Sequence, residues 1–135
     1  NEAVLLDVTT DGDGDGDGDI SYLSFNQTIS FPSGSSRFVV RYHEASGRYY
    51  SLTNVVDANR VNNGSSPDPC GQRNVLILTT SSDLITWETC GTPVLWDDSG
   101  NAHAKHIADA SFLMTGFQYT HWQFDGDDLI CATRA

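Results

Sequence analysis

The sequence predicts an all-β, antiparallel fold, on three observations. Short runs rich in Val, Ile, Leu, Tyr and Thr recur along the chain at strand length. Clusters of Gly, Asn, Ser and Pro punctuate them. Only HAKHIADASFLM (103–114) reads as a short helix, and its periodicity is poor. At 135 residues the chain suits one domain, 1–135, with a single core. A hydrophobic content of 39% makes it globular rather than disordered.

Taken in order, AVLLDV (3–8) and ISYLSF (20–25) are strands that flank an acidic loop, with Leu23 and Phe25 alternating against serines. RFVVRY (37–42) and RYYSLTN (48–54) form a hairpin across HEASG, whose last residue is Gly47. The polar stretch VDANRVNNGSSPDPCGQR that follows has nothing to place in a core. NVLILTT (74–80) is apolar on both faces, as a strand between two layers is. SSDLITWETC turns tightly and returns as a strand. After a second loop, DDSGNAHAKHIADA, the chain ends in QYTHWQFDG and DDLICATRA, giving eight strands.

A net charge of −11, with Lys105 the only lysine, excludes the clustered cations that nucleic acid and anionic membranes require. No apolar run reaches the roughly 20 residues of a membrane span. The chain begins NEAVLLDV, without Met or a signal sequence, so we expect either a processed mature chain or a piece of a longer one. Two N-linked glycosylation sequons, at Asn26 and Asn63, together with the acidic, lysine-poor composition, point to an extracellular protein carrying N-linked glycans. Folding NVLILTT back on LITWETC about Ser82 sets Asn74 opposite Cys90, with Cys70 close beyond. A Cys70–Cys90 disulfide is expected from that placement; a loop of this size closed by a disulfide stabilises by roughly 3 kcal/mol. Cys131 is then a buried free thiol.

Between the first two strands, TTDGDGDGDGDIS sets Asp11, Asp13, Asp15, Asp17 and Asp19 at every second position. From Asp11 it reads D-x-D-x-D-G-x-x-D, the front half of an EF-hand-type calcium loop, and the glycines let carboxylates converge. Tyr22 stands where the twelfth-position Glu belongs; a register from Asp13 puts Ile20 at the eighth position and Ser24 at the twelfth. Calcium is the first reading, a solvated acidic loop the second, and magnesium or another cation the third. His103 and His106 form HxxH without a third ligand, which reads as solvated histidines rather than zinc.

SSDLITWE resembles the S-x-D-x-x-x-W turn of sialidase-like and related glycosidase β-propellers, in which Ser and Asp bond the turn backbone and Trp packs beneath. The succession FPSGSSRFVVRYHEASGRYYSLTN, RNVLILTTSSDLITWE and GFQYTHWQFDGDDLICATRA is similar, over nearly the whole chain, to the C-terminal half of bacterial-type sialidase-family propeller proteins. The resemblance implies propeller-like blades in the order C-D, A-B-C-D, A-B. Residues 1–31 are then a half-blade with the acidic loop, 32–96 a complete four-stranded blade, and 97–135 a loop and a second half-blade. The sequence departs from the family in the Asp-Gly repeat, in the pair Cys70 and Cys90, and in length, since six blades need about twice this chain or more.

The resemblance raises an enzyme reading in which Arg41, Arg73 and Tyr119 line a pocket, but the carboxylates of such a site would have to come from other blades, and no catalytic residue is assigned. Trp87, Trp96 and Trp122 are candidates for stacking on carbohydrate, with Trp87 and Trp122 placed in the core by their strand pattern. The expected function is a secreted, calcium-binding, glycosylated structural subunit that joins copies of itself head to tail. The alternatives are a C-terminal fragment of a sialidase-like glycoside hydrolase and a carbohydrate-binding module.

Overall fold

A computed structural model describes residues 2–10, 20–33, 37–55, 73–96 and 116–134. They form nine strands: β1 (Glu2–Thr10), β2 (Ile20–Ser30), β3 (Val40–His43), β4 (Arg48–Asn54), β5 (Val75–Ser81), β6 (Glu88–Thr89), β7 (Leu95–Trp96), β8 (Gln118–Asp125) and β9 (Asp128–Arg134). Every pairing is antiparallel, and no helix occurs among the described residues, so the all-β expectation holds there.

The strands make three sheets: the hairpin β1–β2, a central meander β3-β4-β5 edged by β6 and β7, and the hairpin β8–β9. The edge strand is broken. Thr89 and Glu88 pair with Thr79 and Thr80, whereas Leu95 and Trp96 pair with Leu76 and Val75. Between the two pieces the Cys90 and Val94 amides still donate to the Leu78 and Leu76 carbonyls, both at 2.8 Å. The expected return strand LITWETC is therefore mostly turn, and β7 is a strand that the sequence reading did not include.

The central sheet is covered on both faces. The pairings Leu52↔Leu78 and Asn54↔Leu76 align one set of side chains on one face. There Leu52, Leu76 and Trp122 form the buried core, joined by Val39, Tyr50, Leu78, Phe124, Leu129 and Cys131. Trp122 is 1% exposed, and its indole N–H donates to the Val39 carbonyl at 3.2 Å. On the opposite face the buried residues include Ser51, Thr53, Val75, Ile77 and Thr79. Thr53 Oγ1 donates to Ser33 Oγ at 2.6 Å, which ties that face to the segment after β2. Phe31, on the same segment, packs on Phe38 and edge-on against Trp87, with ring centroids 4.4 Å and 4.9 Å apart. The expectation that NVLILTT lies between two layers is met: Val75, Leu76 and Ile77 are all buried.

Close approach fixes the start of the third layer. A Cβ on Gly116 would lie 2.6 Å from Arg73 Cβ and 3.0 Å from the Arg73 carbonyl carbon and oxygen. Next to it the Phe117 amide donates to that same carbonyl at 2.8 Å.

Candidate functional site

The turn from β5 to β6 is built by two side chains. Ser81 Oγ accepts from the Asp83 and Leu84 amides at 3.2 and 2.9 Å and donates to Asp83 Oδ1 at 3.0 Å. Asp83 Oδ1 also accepts from the Ile85 and Thr86 amides at 2.8 and 2.7 Å. The amides of Thr86 and Ile85 hold the Asp83 carboxyl below its ordinary 3.8. Leu84 is forced to φ 65°, and the Trp87 indole donates back to its carbonyl at 3.0 Å. Trp87 ends half-buried against Phe31, at the seam of two layers.

This turn also changes the register from which the disulfide was expected. It consumes more residues than a tight reversal about Ser82, so Cys90 sits opposite Leu78 rather than Asn74. Cys90 is a free, exposed thiol, and Cys70, its expected partner, lies outside the described residues. Partial burial pushes the Cys90 thiol up from its ordinary 9.0. Cys131 is free, as expected, but only half-buried, packed against the core cluster.

Arg41 lies on β3 and Tyr119 on β8, and each has its own partners. Arg41 Nε donates to the Trp122 carbonyl, and its Nη2 lies 3.4 Å from His121 Nε2. Its guanidinium is 5.8 Å from the Trp122 ring centroid. Tyr119 lies on a β-bulge, where the pairing slips between Gln118 and His121, and it takes φ 53°. Its ring is exposed and stacks under the Arg134 guanidinium at 5.3 Å, while Arg134 Nη2 bonds Gln118 Oε1 at 3.4 Å. Arg73 is held at the head of β5, where its carbonyl accepts from Asn54 Nδ2 and the Phe117 amide. The three residues of the enzyme reading thus have separate partners.

Asn26 lies on β2, where the register shifts opposite Leu5 and Leu6, and it is exposed. Its Nδ2 donates to Asp7 Oδ1 at 2.9 Å. The remaining site expectations, Asp11, Asp13, Asp15, Asp17, Asp19 and Asn63, lie outside the described residues, as do His103 and His106. Trp96 pairs by its backbone within β7; Trp122 is core. Among the described residues no group of three or more His, Cys, Asp or Glu is placed to hold a metal.

The feature that needs an explanation is a surface. Pairings Leu6↔Phe25 and Val8↔Leu23 put Val4, Leu6, Val8, Leu23 and Phe25 on one face of the first hairpin. They are 46–66% exposed. The other face, through Leu5 and Ile29, meets the central sheet across an apolar cleft of about 90 Å³ that Phe31, Phe38, Val40 and Trp87 also line and that Val4 reaches from the strand edge. That is below the few hundred Å³ of a ligand pocket. Five large apolar side chains thus form one exposed cross-strand cluster. The alternation of Leu23 and Phe25 in the sequence already places them on one face. The outer face of β8–β9 contrasts with it, carrying exposed His121, Gln123, Asp125, Asp128 and Arg134 beside Tyr119 and Ile130.

Comparison with protein-family models, with curated proteins and with solved structures finds no match for this chain.

Proposed function

We propose that the protein is a non-catalytic structural subunit whose blade-like sheets join copies head to tail, the C-terminal hairpin of one copy continuing into the N-terminal hairpin of the next. The observation that carries this reading is the exposed apolar face of β1–β2 beside an unpaired strand edge. β1 pairs with β2 alone and β9 with β8 alone among the described residues, so each offers a row of free backbone N–H and C=O groups. Neither strand contains proline or lysine to block pairing. Within one molecule the two edges are kept apart, because the hairpins pack on opposite faces of the central sheet. Between molecules β9 of one copy meets β1 of another in a heterologous contact, which closes into a ring or runs on as a filament.

In this reading the protein is extracellular, the glycan on Asn26 stands at the hairpin surface, and the aspartates from Asp11 to Asp19 bind calcium between the two paired strands. The Ser81–Asp83 turn and the order of the three sheets support the propeller-like description. They also favour the second reading, a C-terminal piece of a sialidase-like hydrolase, in which further blades of a longer chain cover the apolar face.

Sedimentation and electron microscopy of the intact chain over a wide concentration range separate the two. Self-assembly predicts rings or fibres, and monomers after deletion of residues 1–8. A folded monomer that persists at high concentration overturns it in favour of the second reading.

A further inference from the structure

We infer that Arg41 guards the open edge of β8, so that the third layer accepts an added strand along β9 alone. This deepens the head-to-tail reading above, because it fixes which of the hairpin's two edges receives a partner strand.

The two edges follow from the turn between β8 and β9. Only Gly126 and Asp127 lie between the paired residues Asp125 and Asp128. In a two-residue hairpin the flanking pair exchanges both backbone hydrogen bonds, and the pairs beyond it alternate. Gln123↔Ile130 and His121↔Ala132 are therefore hydrogen-bonded pairs, whereas Phe124↔Leu129 and Trp122↔Cys131 are not. Trp122 and Phe124 thus turn their N–H and C=O groups to the open edge of β8. Leu129 and Cys131 turn theirs to the open edge of β9. Such edges pair with an extended strand that reaches them unless something blocks the approach.

On β8 the approach is blocked. Arg41 Nε donates to the Trp122 carbonyl, one of the outward groups, and its Nη2 lies 3.4 Å from His121 Nε2. The guanidinium is 5.8 Å from the Trp122 ring centroid, and Arg41 is half-buried. Just before β3, the Val39 carbonyl accepts from the Trp122 indole at 3.2 Å and holds the two segments together. A strand added here would displace Arg41 from the carbonyl and enclose its charge, which is costly without a paired anion. The start of β8 is irregular as well: Tyr119 takes φ 53°, and the register slips between Gln118 and His121. A bulge bends its strand away from a regular partner. β8 itself contains neither proline nor lysine, so the guard comes from β3. β9 has no such clamp among the described residues; it pairs with β8 alone and runs from Asp128 to Ala132 without a slip.

The test removes the guard and asks which edge then pairs. Arg41→Met keeps an aliphatic stem on Trp122 and loses the charge and the donors. This variant should associate in sedimentation at concentrations where Arg41→Lys, which leaves a cation at the edge, does not. Hydrogen exchange of backbone amides reads the edge. In the Arg41→Met assemblies, exchange at Trp122 and Phe124 should slow several-fold relative to the dilute variant. If Arg41→Met keeps the near-ultraviolet circular dichroism of the folded chain and associates no more than the unmodified protein, the guard is overturned and Arg41 is only a clamp between layers. A second measurement needs no variant. A synthetic peptide of residues 2–10, added to the unmodified chain, should slow exchange at Leu129 and Cys131 and leave Trp122 and Phe124 unchanged. Protection of Trp122 and Phe124 by the peptide also overturns the guard. A peptide that protects neither strand overturns β9 as the accepting edge, and the head-to-tail reading with it, whatever Arg41→Met shows.

Discussion

Asp83 shows how one carboxylate shapes the molecule. Its Oδ1 accepts from the Ile85 and Thr86 amides, and the turn it closes holds Leu84 at a positive φ that a leucine seldom adopts. The Trp87 ring is thereby delivered to the seam between the first two layers. Those amide bonds favour the ionised form, so the folded-state pKa lies below 3.8 and below that of the unfolded chain. The sign follows from linkage: the stabilisation is complete above the ordinary carboxylate value and is lost as pH falls through the lower, folded one. The expected outcome is that Asp83→Asn melts below the unmodified protein at neutral pH, and that the gap narrows in acid. Thermal unfolding followed across that range checks it, and parallel pH profiles for the two proteins would contradict the role.

At the scale of elements, the strands with strong alternation were legible and the broken ones were not. RYYSLTN was placed to the residue, because its period-two pattern carries alternate side chains to two covered faces. RFVVRY shortened to Val40–His43, and LITWETC gave way to a turn followed by Glu88–Thr89. Side-chain bonds from Ser81 and Asp83 set that turn, and hydrophobic periodicity does not encode them. The shift in register moves Cys90 from Asn74 to Leu78. Of the site, the apolar alternation in the first hairpin was visible as strand pattern, but its exposure depends on which layer the rest of the chain places where. The bulge at Tyr119 was hidden for a similar reason: β-bulges are set by pairing, and no single-strand pattern announces one. The junction of the second and third layers gives a prediction at this scale. Gly116→Ala forces a Cβ into the Arg73 backbone, and overpacking of this kind costs about 1–3 kcal/mol. Chemical denaturation should show that loss, with a transition slope unchanged because the surface exposed on unfolding is the same. Unaltered stability would mean that the β8 lead-in is free to move away from β5.

For the whole molecule, charge and hydrophobic surface meet on the first hairpin. The chain carries a net −11, and five aspartates fall between Thr10 and Ile20, which are paired across β1 and β2. Like charges so close resist the compact state unless a cation or the solvent screens them. The same hairpin exposes Val4, Leu6, Val8, Leu23 and Phe25, so its order and its availability for docking are linked. If calcium binds the folded hairpin and not the unfolded chain, it stabilises by mass action, by about 2.7 kcal/mol at a hundredfold excess over the dissociation constant. Chelation should therefore lower the melting temperature of the monomer, and it should also disperse assemblies, because a loosened hairpin no longer presents β1 in register. Replacing Asp11, Asp13 and Asp15 by Asn ought to abolish the response to chelator and calcium alike, while leaving the effect of Gly116→Ala untouched. Magnesium at equal concentration discriminates the cation, since it demands near-ideal octahedral geometry where calcium accepts varied coordination. Calorimetric titration of metal-free protein that shows no heat, with a melting temperature indifferent to chelator, leaves the aspartates as a solvated loop. Assembly would then rest on the strand edge and the apolar face alone, and it should strengthen with added salt, as the self-repulsion of the aspartates is screened.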